Sequence, residues 1–81
     1  MAHQSKARTH ITTNPLLKEL LSEMVEEFEK TLDLQNRLTK EKDKEKREIL
    51  ESQLYVTMVR SEAKLESALK EWDRVVDEEL E

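Results

Sequence analysis

Two histidines, a run of glutamates and a cluster of lysines and arginines are the residues of this chain whose chemistry could go beyond packing. His3 and His10 offer imidazole nitrogens to a metal, but they lie in a segment with almost no apolar periodicity to hold them in place. Two solvated side chains are the simpler reading. Di-iron carboxylate bundles need Glu-x-x-His pairs facing inward, and both histidines precede the helical part of the chain. The acids Glu26, Glu27 and Glu29 could serve magnesium, as in all-α nucleotide pyrophosphatases. That chemistry takes a paired Glu-x-x-Asp motif from a second helix, and no such spacing occurs here.

With no glycine there is no phosphate-cradling loop, and with no cysteine there is no thiolate ligand, disulfide or cysteine nucleophile. Serines and threonines are present, but no helical histidine stands near to activate them. Catalysis, a cofactor, a metal and a small-molecule substrate are therefore not expected.

The basic residues form a tighter constellation. Arg37, Lys40, Lys42, Lys44, Lys46 and Arg47 place six cations within eleven residues, a candidate contact for nucleic-acid phosphates. Glu41, Asp43 and Glu45 interrupt them, no aromatic is interleaved for base stacking, and the whole chain carries a net charge of −5. An alternating run of this kind is more simply a solvated helix end or loop held by i,i+4 pairs.

These residues must be positioned by an all-α chain. Of 81 residues, 41% are charged and 36% hydrophobic, and helix formers such as Glu, Lys, Leu and Arg dominate. Residues 1–13 read as a flexible N-terminal arm. Asn14 or Thr13 can cap a helix whose first turn begins at Pro15. From there Leu16, Leu17, Leu20, Leu21, Met24, Val25, Phe28, Leu32, Leu34 and Leu38 fall within one half of a helix of about residues 15–39. Glu27 lies inside that apolar half and is expected at its rim, with the carboxylate in water.

Residues 39–48 contain no apolar side chain. Either the helix continues through them as a solvated rod or the chain turns back at about 40–46. The stripe of the second helix, about 47–80, favours the turn. Leu54, Met58, Leu65, Leu69, Trp72, Val76 and Leu80 lie out of heptad register with Leu17, Leu21, Met24 and Phe28, whereas a sustained coiled coil keeps its register. A lesser stripe that starts at Ile49 keeps the first register and so leaves the rod open. The run Leu54–Val59 also has strand-like composition, but the chain offers no second strand for it.

The lesser stripe, Ile49, Val56, Val59 and Ala63 with Ser52 between, lies roughly opposite the main one. A helix with two apolar faces needs more than one neighbour. A chain of this size without a disulfide or metal seldom builds a sufficient core alone. The expected architecture is therefore an antiparallel two-helix hairpin, coiled-coil-like, associating into a four-helix or larger bundle. Its partner is a second copy, as a homodimer or higher oligomer, or another helical protein. The contact residues expected are Ile49, Ser52, Tyr55, Val56, Val59, Ala63, Trp72, Val76 and Leu80. Trp72 also fits the core between the helices, against Leu69 and Val76. In a hairpin the acidic end of the second helix, from Asp73 to Glu81, comes near Lys6 and Arg8 of the arm.

The function these features imply is a non-enzymatic oligomerisation, adaptor or scaffold subunit acting through protein–protein contacts. The alternative is a small dimeric nucleic-acid-binding regulator using the basic hairpin tip. Without a membrane-length apolar run or the apolar core of a signal peptide, an intracellular, cytoplasmic location is expected.

Overall fold

The computed structural model describes residues 11–80, apart from the side chains of Thr12, Glu79 and Leu80. The arm residues 1–10, with His3, Lys6, Arg8 and His10, lie outside the described part, as does Glu81. A 3-10 helix, Ile11–Thr13, leads into α1, Pro15–Lys40, and a three-residue connection leads into α2, Lys44–Leu80. The chain is a helical hairpin, and no strand occurs among the described residues; Leu54–Val59 is continuous helix.

Each helix starts at a capping side chain. The Leu17 amide donates to Asn14 Oδ1 at 3.1 Å, and Pro15 occupies the first turn, where its missing N–H leaves nothing unsatisfied. Asp43 does the same for α2, accepting from the Lys46 amide at 3.0 Å. That cap is why α2 begins at Lys44 rather than near 47. The connection is 41–43 where the sequence pointed to 40–46: charged residues without apolar side chains extend both helices almost to the turn.

The turn is closed by Arg47. Its Nη1 donates to the carbonyl of Glu41 at 2.9 Å and to that of Leu38 at 3.0 Å, which also accepts from the Glu41 amide at 3.3 Å, so the guanidinium helps satisfy carbonyls at the end of α1 and in the turn. Glu41 itself is extended, at φ −79° and ψ 128°, so the helix ends without a left-handed residue.

The helices run antiparallel. A hydrogen bond of 3.1 Å between the hydroxyls of Thr31 and Ser61 fixes their register, and Lys64 Nζ meets Glu23 Oε1 at 2.8 Å further along. Counting from the Thr31–Ser61 pair in steps of three and four gives the seam. On α1 it comprises Leu17, Leu20, Met24, Glu27, Thr31, Leu34 and Leu38, all buried or half-buried. On α2 it comprises Leu50, Leu54, Thr57, Ser61, Lys64, Ala68, Glu71 and Val75, again all buried or half-buried.

Two expectations are corrected by this seam. The main stripe of α2 is not the core: Met58, Leu65, Leu69 and Trp72 are exposed, and Leu54 and Val76 are half-buried. Packing is decided by register with α1, and that register turns Thr57, Ser61, Lys64 and Glu71 inward while the larger apolar residues flank them. Trp72 therefore does not pack between the helices. Glu27 is the second correction. It is buried in the seam rather than on the rim, with Oε2 3.4 Å from Lys30 Nζ and no hydrogen-bond partner for Oε1.

Candidate functional site: two unpartnered apolar surfaces

The seam uses few of the large apolar residues. Six of its positions are polar, and their side chains are satisfied mainly within or close to it. Thr31 Oγ1 donates to the Glu27 carbonyl at 2.9 Å and Thr57 Oγ1 to the Leu54 carbonyl at 3.0 Å. Glu71 accepts from Arg74 Nε at 3.0 Å.

The apolar residues left over lie outside the seam. On α1, Leu21, Val25, Phe28 and Leu32 recur along one flank. On α2, Met58, Leu65, Leu69, Trp72 and Val76 recur along the flank of the same side, because antiparallel helices bring equivalent heptad positions together. The two rows border a groove of about 460 Å³ lined by Phe28, Leu32, Met58 and Leu65, with Thr31 and Ser61 between them and one charged residue, Glu62, at its edge. Along this face Leu32 is 63% exposed, Leu69 55% and Met58 54%. Single exposed apolar residues are ordinary on a protein surface, whereas rows of them along one face, here with Glu62 among them, make a candidate contact surface.

The other side of the hairpin differs in kind. Grooves of about 350 and 360 Å³ there are bordered by Arg37, Lys40 and Lys46 near the turn, and by Lys30, Arg37 and Arg60 farther along, with Glu41 and Asp33 among them. Ile49 and Leu50 border the first of these grooves and Leu34 and Val56 the second, so this side mixes charged and apolar residues where the other is mainly apolar.

The expected contact residues are divided over two surfaces. Tyr55, 69% exposed, and Trp72 and Val76 belong to the apolar side. Ile49, Ser52, Val56, Val59 and Ala63 are all exposed: Ile49 and Val56 border the grooves that α2 forms with α1 on the side opposite Phe28 and Leu65, and Ser52, Val59 and Ala63 border none of these grooves. The side chain of Leu80 lies outside the described residues. Sequence reasoning named this stripe but not the flank row Leu21, Val25, Phe28 and Leu32 as a contact surface. Those four had been assigned together with the seam to one apolar half. The width of that half, too great for one neighbour, was the available signal.

Of the basic cluster, Arg37, Lys40, Lys42, Lys44 and Lys46 are exposed, whereas Arg47 is drawn inward to the turn. Arg37 also stands 3.5 Å from Asp33 across one helical turn. The structure therefore gathers five of the six cations at the surface of the tip. Among the described residues there is no group of three or more metal-ligating side chains, and no helix is long and apolar enough to cross a membrane.

Two ion pairs perturb their members. The hydrogen bond from Arg74, opposed by burial, holds the Glu71 carboxyl below its ordinary range. The hydrogen bond to Glu23 holds the Lys64 ammonium above its ordinary value, with Glu27 and Glu26 adding to the effect. A depressed acid contributes stability above its ordinary pKa and loses it as pH falls through the depressed one. Thermal unfolding followed over pH should therefore show a falling midpoint below about pH 4, and Glu71→Gln should flatten that fall. The Lys64 contribution runs the other way, intact below about pH 10 and lost as pH rises beyond it.

No protein-family model, curated protein or solved structure matches this chain. Its functional reading rests on its own surfaces.

Proposed function

We propose that the chain is a non-enzymatic helical assembly subunit, an oligomerisation, adaptor or scaffold element that works by covering its apolar side with other helices. The observation that carries this reading is the groove between Phe28, Leu32, Met58 and Leu65, with apolar rows continuing on both helices, beside a seam in which six of fifteen positions are polar. A two-helix seam of this composition buries little apolar area, and the hydrophobic effect scales with that area. The larger share of the apolar side chains gains only when another helical surface lies against them. A four-helix bundle gives each of these helices two neighbours.

The basic tip supports the second reading, a nucleic-acid contact, through the five cations it exposes. The acids among them and the net charge of −5 weigh against it. Binding of that kind would fall steeply with salt and vanish in Lys42→Glu/Lys44→Glu/Lys46→Glu.

The test of the first reading is the solution mass of the purified chain by light scattering across a dilution series, read together with helicity. A highly helical species of two or more chains is the expected result. A stable, fully helical single chain at all concentrations would overturn it.

A further inference from the structure

We infer that the occupant of the apolar side is a second copy of this chain, docked antiparallel, so that the tip of one hairpin lies against the open end of the other. This rests on the assembly reading above and goes further by naming the partner and its orientation.

Three observations converge on it. Residues 1–10 offer this face little apolar cover, with only Met1, Ala2 and Ala7 as apolar side chains. The face is also self-complementary about one level of the hairpin. Take a two-fold axis lying between the paired faces, crossing the long axis at Phe28 and Leu65, which face the same groove. Along α2, Leu65 then meets its own copy and Met58 meets Trp72, while to within one residue Tyr55 meets Val76 and Glu62 meets Leu69 at the edge of the face. Along α1, Phe28 meets its copy and Leu32 meets Val25. Two helices therefore agree on one axis, as a closed isologous dimer demands.

Charge selects the orientation. Residues 31–61, the tip half, carry seven cations and six anions, whereas residues 14–30 and 62–80, the open half, carry five cations and twelve anions. Antiparallel docking sets the acidic half of each copy against the nearly neutral tip half of the other, and the gain is repulsion avoided rather than ion pairs formed, because Arg37, Lys40, Lys46 and Arg60 border the opposite side of the hairpin. The parallel alternative, which matches apolar rows equally well, crowds both acidic halves together.

Size is also adequate. The hairpin measures 58 × 20 × 15 Å. An apolar stretch of about 18 residues at 1.5 Å each, some 20 Å wide, gives roughly 500 Å² per copy and roughly 1,000 Å² for the pair, within reach of a specific interface.

Cysteine cross-linking tests the orientation, because the chain has no native thiol. Under mild oxidation Leu65→Cys should close a disulfide between copies, and Lys42→Cys should not. Since Leu65→Cys alters the face itself, a mixture of Tyr55→Cys and Val76→Cys chains serves as a second probe, and it should cross-link faster than either variant alone. Efficient Lys42→Cys dimers, with none from the other variants, would put the tips together and overturn the antiparallel arrangement while leaving the assembly reading intact. A poorly helical single chain would overturn the second copy as occupant and leave a different helical partner. A stable helical single chain, unchanged by Leu65→Asp, would overturn both.

Discussion

Leu17→Ala is expected to unfold most of the molecule at room temperature, whereas Leu16→Ala, one position away, should change its stability by less than about 0.5 kcal/mol. Leu17 is 0% exposed and Leu16 is 50% exposed. Leu17 is the one large side chain among the described residues that is fully buried, held at the open end by the Asn14 cap and at the level of Val75 across the seam. Truncating a buried leucine costs about 2–5 kcal/mol through lost transfer energy and the cavity left behind. A core of this size rarely supplies more than about 3–5 kcal/mol, so the loss is comparable with everything available. Circular dichroism during urea titration checks it: the midpoint should collapse for Leu17→Ala and hold for Leu16→Ala.

The second large effect falls on assembly. Leu65→Asp should release single chains, because a carboxylate added in the middle of the covered face, beside Glu62, has no cation of the groove lining to pair with and must be desolvated on association. A penalty of roughly 3 kcal/mol, the scale of an uncompensated buried charge, weakens association by more than about 100-fold. Arg60→Glu, on the opposite side of the hairpin, should leave the mass unchanged. Sedimentation of the two variants at equal concentration separates the apolar side from a general effect of added negative charge. Equal masses for both variants would show that the apolar side is not the contact surface.

Much of the architecture can be read from residue types, and particular residues show where that reading stops. Asn14 and Pro15 announce the start of α1 because capping and the fixed proline φ are local effects that need no tertiary context. The reversal near residues 41–43 is legible through the change of heptad register between the halves. The inner face of α2 is not legible, because Thr57, Ser61, Lys64 and Glu71 break its apolar pattern while Met58, Leu65, Leu69 and Trp72 advertise a different face. Hydrophobic periodicity reports which face of a helix is apolar, and it does not say which neighbour will cover that face. Here the nearest neighbour takes the polar seam.

Arg47 shows a different limit. By type and position it belongs to the basic cluster, yet its guanidinium satisfies the carbonyls of Leu38 and Glu41. Only the geometry of a helix end three residues from the next helix brings those acceptors within its reach. Glu27 shows the same dependence on register: one turn of helix places it in the seam opposite the level of Lys64, where no count of apolar neighbours along the chain reveals it.

Whether the hairpin's outer apolar side must be covered shows most directly in the mass of the unmodified chain by light scattering, with helicity followed over the same dilution series. The expected result is a helical species of two chains that loses mass and helicity together as it is diluted. A single chain that keeps full helicity at every concentration would contradict it.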